Sequence, residues 1–286
     1  MSIWQAILLG LIQGLTEFIP ISSTAHLTIA GRLMGLISAE HPEQWTAFMA
    51  VIQLGTLVAV IVYFWFDIVN IIRGFILTNV ALITRKPVDT LSRDGAWLGW
   101  LVIVGTIPIA VVGLLFRHQI EGAKTKDLRV IAGSLIGLAL VLTLAEVVGR
   151  RLRDMKELKL MDALAIGAAQ VLALIPGSSR SGTTITAGLF VGLKRETAAR
   201  ISFLLSIPAV AASGLLELPK ALRSGGGMDW LALAVATSIS AVVGYLSIAF
   251  LLRYLHRHST FVFVAYRIAL GLILIGLILS GRIATS

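Results

Sequence analysis

Residues 13–26 read QGLTEFIPISSTAH, and residues 170–184 read QVLALIPGSSRSGTT. Each lies at the centre of an apolar stretch that is too interrupted to be one plain crossing. In the first stretch, 3–37, Pro20 is followed by Ser22, Ser23, Thr24 and His26; in the second, 162–193, Pro176-Gly177 is followed by Ser178, Ser179, Arg180 and Ser181. Proline removes a backbone donor, and serine favours a helix N-cap over a helix interior. Each arm of about 16 residues makes roughly 24 Å of helix, a little short of a hydrocarbon core of roughly 30 Å. Two re-entrant helix–break–helix hairpins are therefore expected. Irregular backbone at membrane depth persists only when buried in protein or lining a wet cavity, so a cavity is expected with them.

The rest of the chain agrees with a membrane setting. Of 286 residues, 57% are hydrophobic and 14% are charged, against about 25% charged in a soluble domain. Apolar runs at 46–66, 96–116, 128–148, 198–217, 230–252 and 261–281 are each long enough to cross,. This predicts an all-α polytopic membrane protein and excludes soluble, disordered and fibrous classes. The formal net charge of +9 comes from basic residues in short loops, where they set topology and meet anionic headgroups; membrane lipids, and no nucleic acid, are the expected contacts. With no cysteine, disulfides and thiolate metal sites are excluded. The N-terminal segment has no basic n-region and no A-x-A site, so residues 1–37 are expected in the mature fold. The stretch 67–83, broken by Asp67, Asn70 and Arg73, is expected to lie along the cytoplasmic surface.

The two breaks are related by a repeat. An offset of 156 aligns Ile19-Pro20-x-Ser22-Ser23 with Ile175-Pro176-x-Ser178-Ser179, and Thr28-Ile29 with Thr184-Ile185; a one-residue gap adds Gln13 to Gln170. Later, Ala110-Val111-Val112-Gly113 matches Ala241-Val242-Val243-Gly244. The order hairpin, span, span, span thus recurs in 1–149 and 160–283, within one membrane domain covering 1–286. Three crossings per half is odd, which predicts two inverted-topology repeats with their hairpins meeting near the midplane. Fourteen Lys and Arg fall on the side of 67–95, 149–161, 194–200 and 253–260, and eight on the other. The positive-inside rule places the richer side in the cytoplasm and both termini, with the site, outside.

Few polar residues remain inside. Gln13 and Glu17, four apart, share one helix face, and Glu17 sits three residues before the break. An intramembrane acid is costly and points to function. Ser22, Ser23 and Thr24 open the second arm, a helix start with free N–H groups suited to an anion; Ser23 and His26, three apart, are spaced for an imidazole to take a hydroxyl proton. Arg180 opens the matching helix among Ser178, Ser179, Ser181, Thr183 and Thr184, a setting for bidentate phosphate binding. Arg267 and Glu146 are expected to form a structural ion pair, and Glu217 to be interfacial. His41, His118, His256 and His258 fall in loops. The mixture suits an anionic, phosphorylated ligand with a lipid tail.

Residues 13–26 resemble the first signature of the bacterial undecaprenyl-diphosphate phosphatase family of the bacitracin-resistance type, and Pro176–Thr184 resembles its second, PGxSRSxxT. The resemblance runs over essentially the whole chain. It implies hydrolysis of a prenyl diphosphate lipid, undecaprenyl diphosphate, to the monophosphate and phosphate, recycling the carrier for peptidoglycan synthesis in the cytoplasmic (inner) membrane. It also implies a divalent cation, Mg²⁺ or Ca²⁺, and a periplasmic site. Glu17, Ser23, His26 and Arg180 are carried over as the catalytic set, with Glu17 as metal ligand. Gln13, Ser22, Thr24, Ser178, Ser179, Ser181, Thr183 and Thr184 are carried over as substrate-binding. Where many members have Glu, this chain has Gln13, which offers a carbonyl and no charge. In one mechanism Ser23 attacks with His26 as base; in the other His26 or Glu17 activates water. The phosphatase type built on SRxxxxxHxxxD does not fit, since Thr186 and Phe190 stand where it needs His and Asp. A carrier or flippase of a lipid phosphate would also use inverted repeats and remains the rival, and a homodimer is left open.

Overall fold

The computed structural model describes the chain except residues 39, 86, 88, 123–125, 224–229 and 284–286; of Glu121 and 220–223 only the backbone is described. The described residues form helices, with one isolated bridge between Arg153 and Leu193 as the extended pairing. The helices are α1 (Ile3–Thr16), α2 (Ser23–Leu33), α3 (Pro42–Tyr63), α4 (Trp65–Thr84), α5 (Thr90–Leu115) and α6 (Arg117–Glu121) in the first part. They continue with α7 (Leu128–Val148), α8 (Leu160–Val171), α9 (Arg180–Phe190), α10 (Arg195–Arg223), α11 (Trp230–Arg257) and α12 (Phe261–Leu279). Among the described residues, seven helices are long and apolar enough to cross a membrane: α3, α4, α5, α7, α10, α11 and α12. The protein is a multi-pass membrane protein.

One of them, α4, covers the stretch expected along the cytoplasmic surface. The stretch 67–83 belongs to a 20-residue apolar helix that turns back on α5. The close approach is made by glycine: a Cβ on Gly74 would lie 2.6 Å from the Ser92 carbonyl, and one on Gly95 2.6 Å from that of Asn70. Of its polar interruptions, Asp67 forms an ion pair with Arg200 at 2.8 Å.

Each broken segment packs on a helix from the other half of the chain. Arm α1 lies against α11, and α8 lies against α5; α3 packs on α10, and α7 on α12. Small residues permit this, because between helices in lipid the attraction is close packing rather than water exclusion. A Cβ at Gly10 would meet the Ala236 carbonyl at 2.5 Å, and one at Gly167 would meet the Gly105 carbonyl at 2.1 Å. Beneath the hairpins, Phe18 and Phe203 meet edge-on with centroids 5.1 Å apart.

The expected Arg267–Glu146 pair does not form. Helices α7 and α12 run antiparallel, so Glu146 at the end of α7 meets Thr260 at the start of α12, with Thr260 Oγ1 donating at 2.8 Å. Arg267, seven residues further along α12, is roughly 10 Å away along the axis and meets Leu135 instead. Glu146 is paired with Arg195 and with Arg151. Glu217, near the end of the α10 span, is largely buried and paired with Arg117 at 3.3 Å. His118 lies in α6, and His256 in the last turn of α11 bonded to Glu196, rather than in loops.

Candidate active site

Both breaks fold the same way locally. Arm α1 ends at Glu17, whose N–H still reaches the Gln13 carbonyl, and the chain turns to Ser22. Arm α8 tightens into a 3₁₀ turn, Leu172–Leu174, and the chain turns to Ser179. Ser22 and Ser179 have φ of 77° and 70°, the left-handed region that a non-glycine residue enters at a cost of about 1–3 kcal/mol and that clusters at functional sites. Each caps the helix it opens: Ser22 Oγ accepts from Ala25 N and Ser179 Oγ from Gly182 N. The caps are 157 residues apart, as are Gln13 and Gln170. The sequence alignment of the break is therefore corrected by one residue. The two breaks are thus equally long, and Pro20 stands opposite Gly177, whose φ is 86°.

The two breaks share one buried guanidinium. Arg267 is fully buried and donates to the Pro20 carbonyl of the first break and to the Gly177 and Ser178 carbonyls of the second, at 3.4, 3.3 and 3.0 Å. It also grips the Ser134 and Leu135 carbonyls of α7. The carbonyl oxygens left free by both turns thus find one common donor, as buried backbone requires. The sequence offered a signal for this in the lone Arg of an apolar run, but no indication of its partners.

Around that anchor the expected residues converge on Glu17. Gln13 Nε2 donates to Glu17 Oε2 at 3.0 Å, and Ser23 Oγ donates to the same oxygen at 2.7 Å. Glu17 Oε1 faces Arg180 Nη1 at 3.7 Å. Ser181 Oγ reaches the Glu17 carbonyl at 3.4 Å and lies 3.2 Å from Ser179 Oγ. Arg180 is held loosely: its buried Nε and Nη1 have no hydrogen-bond partner, and neither has the buried Ser178 Oγ. Unmatched donors at a helix start have the chemistry that suits an anion.

Other expected residues are turned elsewhere. His26 does not bond to Ser23; its Nδ1 lies 2.7 Å from the Ser22 carbonyl and its Nε2 2.6 Å from the Tyr266 hydroxyl. The hydroxyl partner of Ser23 is therefore a carboxylate, not an imidazole. Thr183 and Thr184 bond back to the Arg180 carbonyl, and Thr184 also meets Ser202. Thr24 and Arg180 both line a cavity of about 390 Å³ whose wall is mostly apolar, including Leu27, Met49, Ile109, Leu174 and Pro208. That volume lies in the range of small-molecule sites. Tyr266 was not marked by the sequence; only its place beside Arg267 in an apolar run could have drawn attention.

The oxygens near Glu17 fit a hard cation held together with its ligand. They are the Glu17 carboxylate, Ser23 Oγ and Gln13 Oε1, which is buried without a partner. Among the described residues no three His, Asp or Glu side chains group together. One carboxylate with neutral oxygens matches an ion completed by substrate phosphates rather than an all-protein cage.

Comparison with known proteins agrees across the chain. The family model described as "Bacitracin resistance protein BacA" matches residues 6–273. A protein named undecaprenyl-diphosphatase from Syntrophobacter fumaroxidans is 59% identical over 95% of this chain and 95% of its own length. Proteins of the same name from Chlorobaculum tepidum and Chlorobium phaeovibrioides are 51% and 49% identical, each over 99% of both chains.

Proposed function

The chain belongs to the bacitracin resistance protein family, and from that premise we propose that it is an integral-membrane hydrolase converting undecaprenyl diphosphate to undecaprenyl phosphate and inorganic phosphate. The released carrier lipid re-enters peptidoglycan synthesis. The observation that carries the reading is Ser23 bonded to a buried Glu17 opposite an unsatisfied Arg180, at two facing helix starts.

Arg180 and the N–H groups opening α2 and α9 receive the diphosphate. Charge neutralisation and positioning provide most of the acceleration in phosphoryl transfer. Ser23 Oγ attacks the terminal phosphorus while its proton passes to Glu17 Oε2. The bond to the bridging oxygen breaks and undecaprenyl phosphate leaves. Water, losing a proton to His26, then cleaves the phosphoserine, and Glu17 returns the proton to Ser23. In the variant without a phosphoserine, Glu17 or His26 activates water directly. A divalent cation at Glu17, Gln13 and the phosphates, Mg²⁺ or Ca²⁺, supplies further charge neutralisation when bound. Ser22, Ser178, Ser179, Ser181 and Thr24 frame the anion, and the apolar cavity takes the first part of the prenyl tail.

The architecture belongs to the same proposal: one domain made of two inverted-topology repeats, 1–149 and 160–283, in the cytoplasmic (inner) membrane with both termini and the site on the periplasmic side. Reciprocal packing of α1 on α11 and α8 on α5 supports it. So do Asp67–Arg200 and the Trp97 Nε1 bond to the Leu158 carbonyl, which tie the α4–α5 hairpin to the Lys/Arg-rich side and leave three crossings per half. The chain has no cysteine, so single cysteines at Lys156 and Arg282 report sidedness by labelling intact cells; labelling of position 156 alone would overturn the orientation.

Purified protein in detergent, given undecaprenyl or a shorter prenyl diphosphate, is expected to release phosphate with Mg²⁺ or Ca²⁺ and to stop with EDTA. Absence of release under every cation would overturn the hydrolase and favour a carrier of lipid phosphates.

A further inference from the structure

Tyr266 has no role in the reaction described above, yet its hydroxyl lies 2.6 Å from His26 Nε2 with the two rings stacked at 12° and 5.6 Å between centroids. The other ring nitrogen settles the chemistry of this contact. Nδ1 lies 2.7 Å from the Ser22 carbonyl, and a carbonyl oxygen can only accept, so Nδ1 carries the hydrogen. A neutral imidazole has one N–H and one lone pair. Nε2 therefore holds the lone pair, and the Tyr266 hydroxyl donates to it.

The surroundings make this bond consequential. Ser22 is the strained N-cap of α2, so the Nδ1 bond ties the imidazole to the turn that shapes the site. Tyr266 is next in sequence to Arg267, whose guanidinium holds both breaks. One segment of α12 thus fixes the backbone of the breaks and the orientation of the imidazole together. Ser23 is bonded to Glu17, so the Nε2 lone pair is not needed for the Ser23 proton and serves a different one, that of the hydrolytic water.

We propose that Tyr266 is a positioning residue for His26, setting the Nδ1–H form and aiming the Nε2 lone pair for proton exchange, with the hydroxyl yielding its place to water when the phosphoryl group is bound. This rests on the hydrolase reading, but one of its readouts does not. Tyr266→Phe keeps the stacked ring and removes the donor. Its kcat is expected to fall about tenfold, the scale of one hydrogen bond, with KM within about twofold, because a positioning residue acts through His26 and not on the substrate. Full-length protein with ¹⁵N-labelled histidine in nanodiscs gives the second readout. Wild type should show His26 with a protonated Nδ1 and a pyridine-type Nε2 accepting a hydrogen bond. Tyr266→Phe should lose the accepting signature at Nε2 while the other four histidines are unchanged.

An unaltered kcat in Tyr266→Phe, or a His26 spectrum identical in the two proteins, would overturn the proposal. A wild-type spectrum with the hydrogen on Nε2 would do the same. If no prenyl diphosphate is hydrolysed at all, the hydrolase reading fails, and the spectra still decide whether Tyr266 sets the imidazole.

Discussion

Replacing Glu17 by Gln keeps the size and most of the hydrogen bonding of the side chain and removes its charge and basicity. Glu17 Oε2 receives the Ser23 hydroxyl at 2.7 Å, and Oε1 faces Arg180 at 3.7 Å. A positioned general base contributes typically 10²–10⁴-fold, which at about 1.4 kcal/mol per decade is roughly 3–5 kcal/mol of barrier. Arg180 is affected in the opposite sense. At an effective dielectric of about 20, unit charges 3.7 Å apart attract by roughly 4 kcal/mol,, so losing the carboxylate leaves the guanidinium freer to hold an anion. Glu17→Gln should therefore lower kcat at least about 100-fold while KM for the diphosphate, at saturating cation, stays level or falls. Phosphate release from detergent-solubilised protein across substrate concentrations separates the two effects. A variant retaining more than about a tenth of wild-type kcat would refute the base assignment; a large rise in KM with kcat intact would make Glu17 a binding residue only.

Three further outcomes are expected. Arg180→Lys loses the planar fork that matches a phosphate, and kcat/KM should fall about 10²–10³-fold with the protein still folded; wild-type kinetics would remove Arg180 from the site. Glu146→Ala leaves Arg151 and Arg195 without their buried carboxylate, which should cost about 3 kcal/mol, the lower end of the range for broken buried pairs since both arginines are partly exposed,. A lower thermal midpoint with unchanged turnover of the folded fraction checks it. Gly167→Ala places a methyl 2.1 Å from the Gly105 carbonyl and should abolish folded protein in size-exclusion chromatography, whereas Gly133→Ala, with nothing within 4 Å, should be neutral.

What the sequence made legible followed from local chemistry. Proline and serine at 19–23 and 175–179 marked both breaks, and hydropathy marked six of the seven long apolar helices. What it missed depended on distance in space. The cap register slipped by one because Ser178 and Ser179 are interchangeable in composition, and only the Gly182 N–H bond to Ser179 Oγ marks which serine opens α9. The stretch 67–83 offered no sign of its partner, because Asp67 pairs with Arg200 on a segment 133 residues away. Glu146 and Arg267 were matched by charge alone, although antiparallel packing sets them two turns apart. His26 was assigned to Ser23 by helical spacing, but that spacing also allowed the imidazole to bond to the Ser22 carbonyl and to Tyr266 on a remote helix.

The pairing of α1 with α11 sets a timetable for making the protein. Helix α1 ends at Thr16 and its partner begins at Trp230, so at about 5–20 residues per second the ribosome needs roughly 10–40 s between the two. For most of that interval Arg180 has not been made, and throughout it the Pro20 carbonyl has no Arg267. A carboxylate and open backbone are poorly tolerated in lipid. The first hairpin emitted is therefore the last to be seated, and the C-terminal helices, by arriving, complete its insertion.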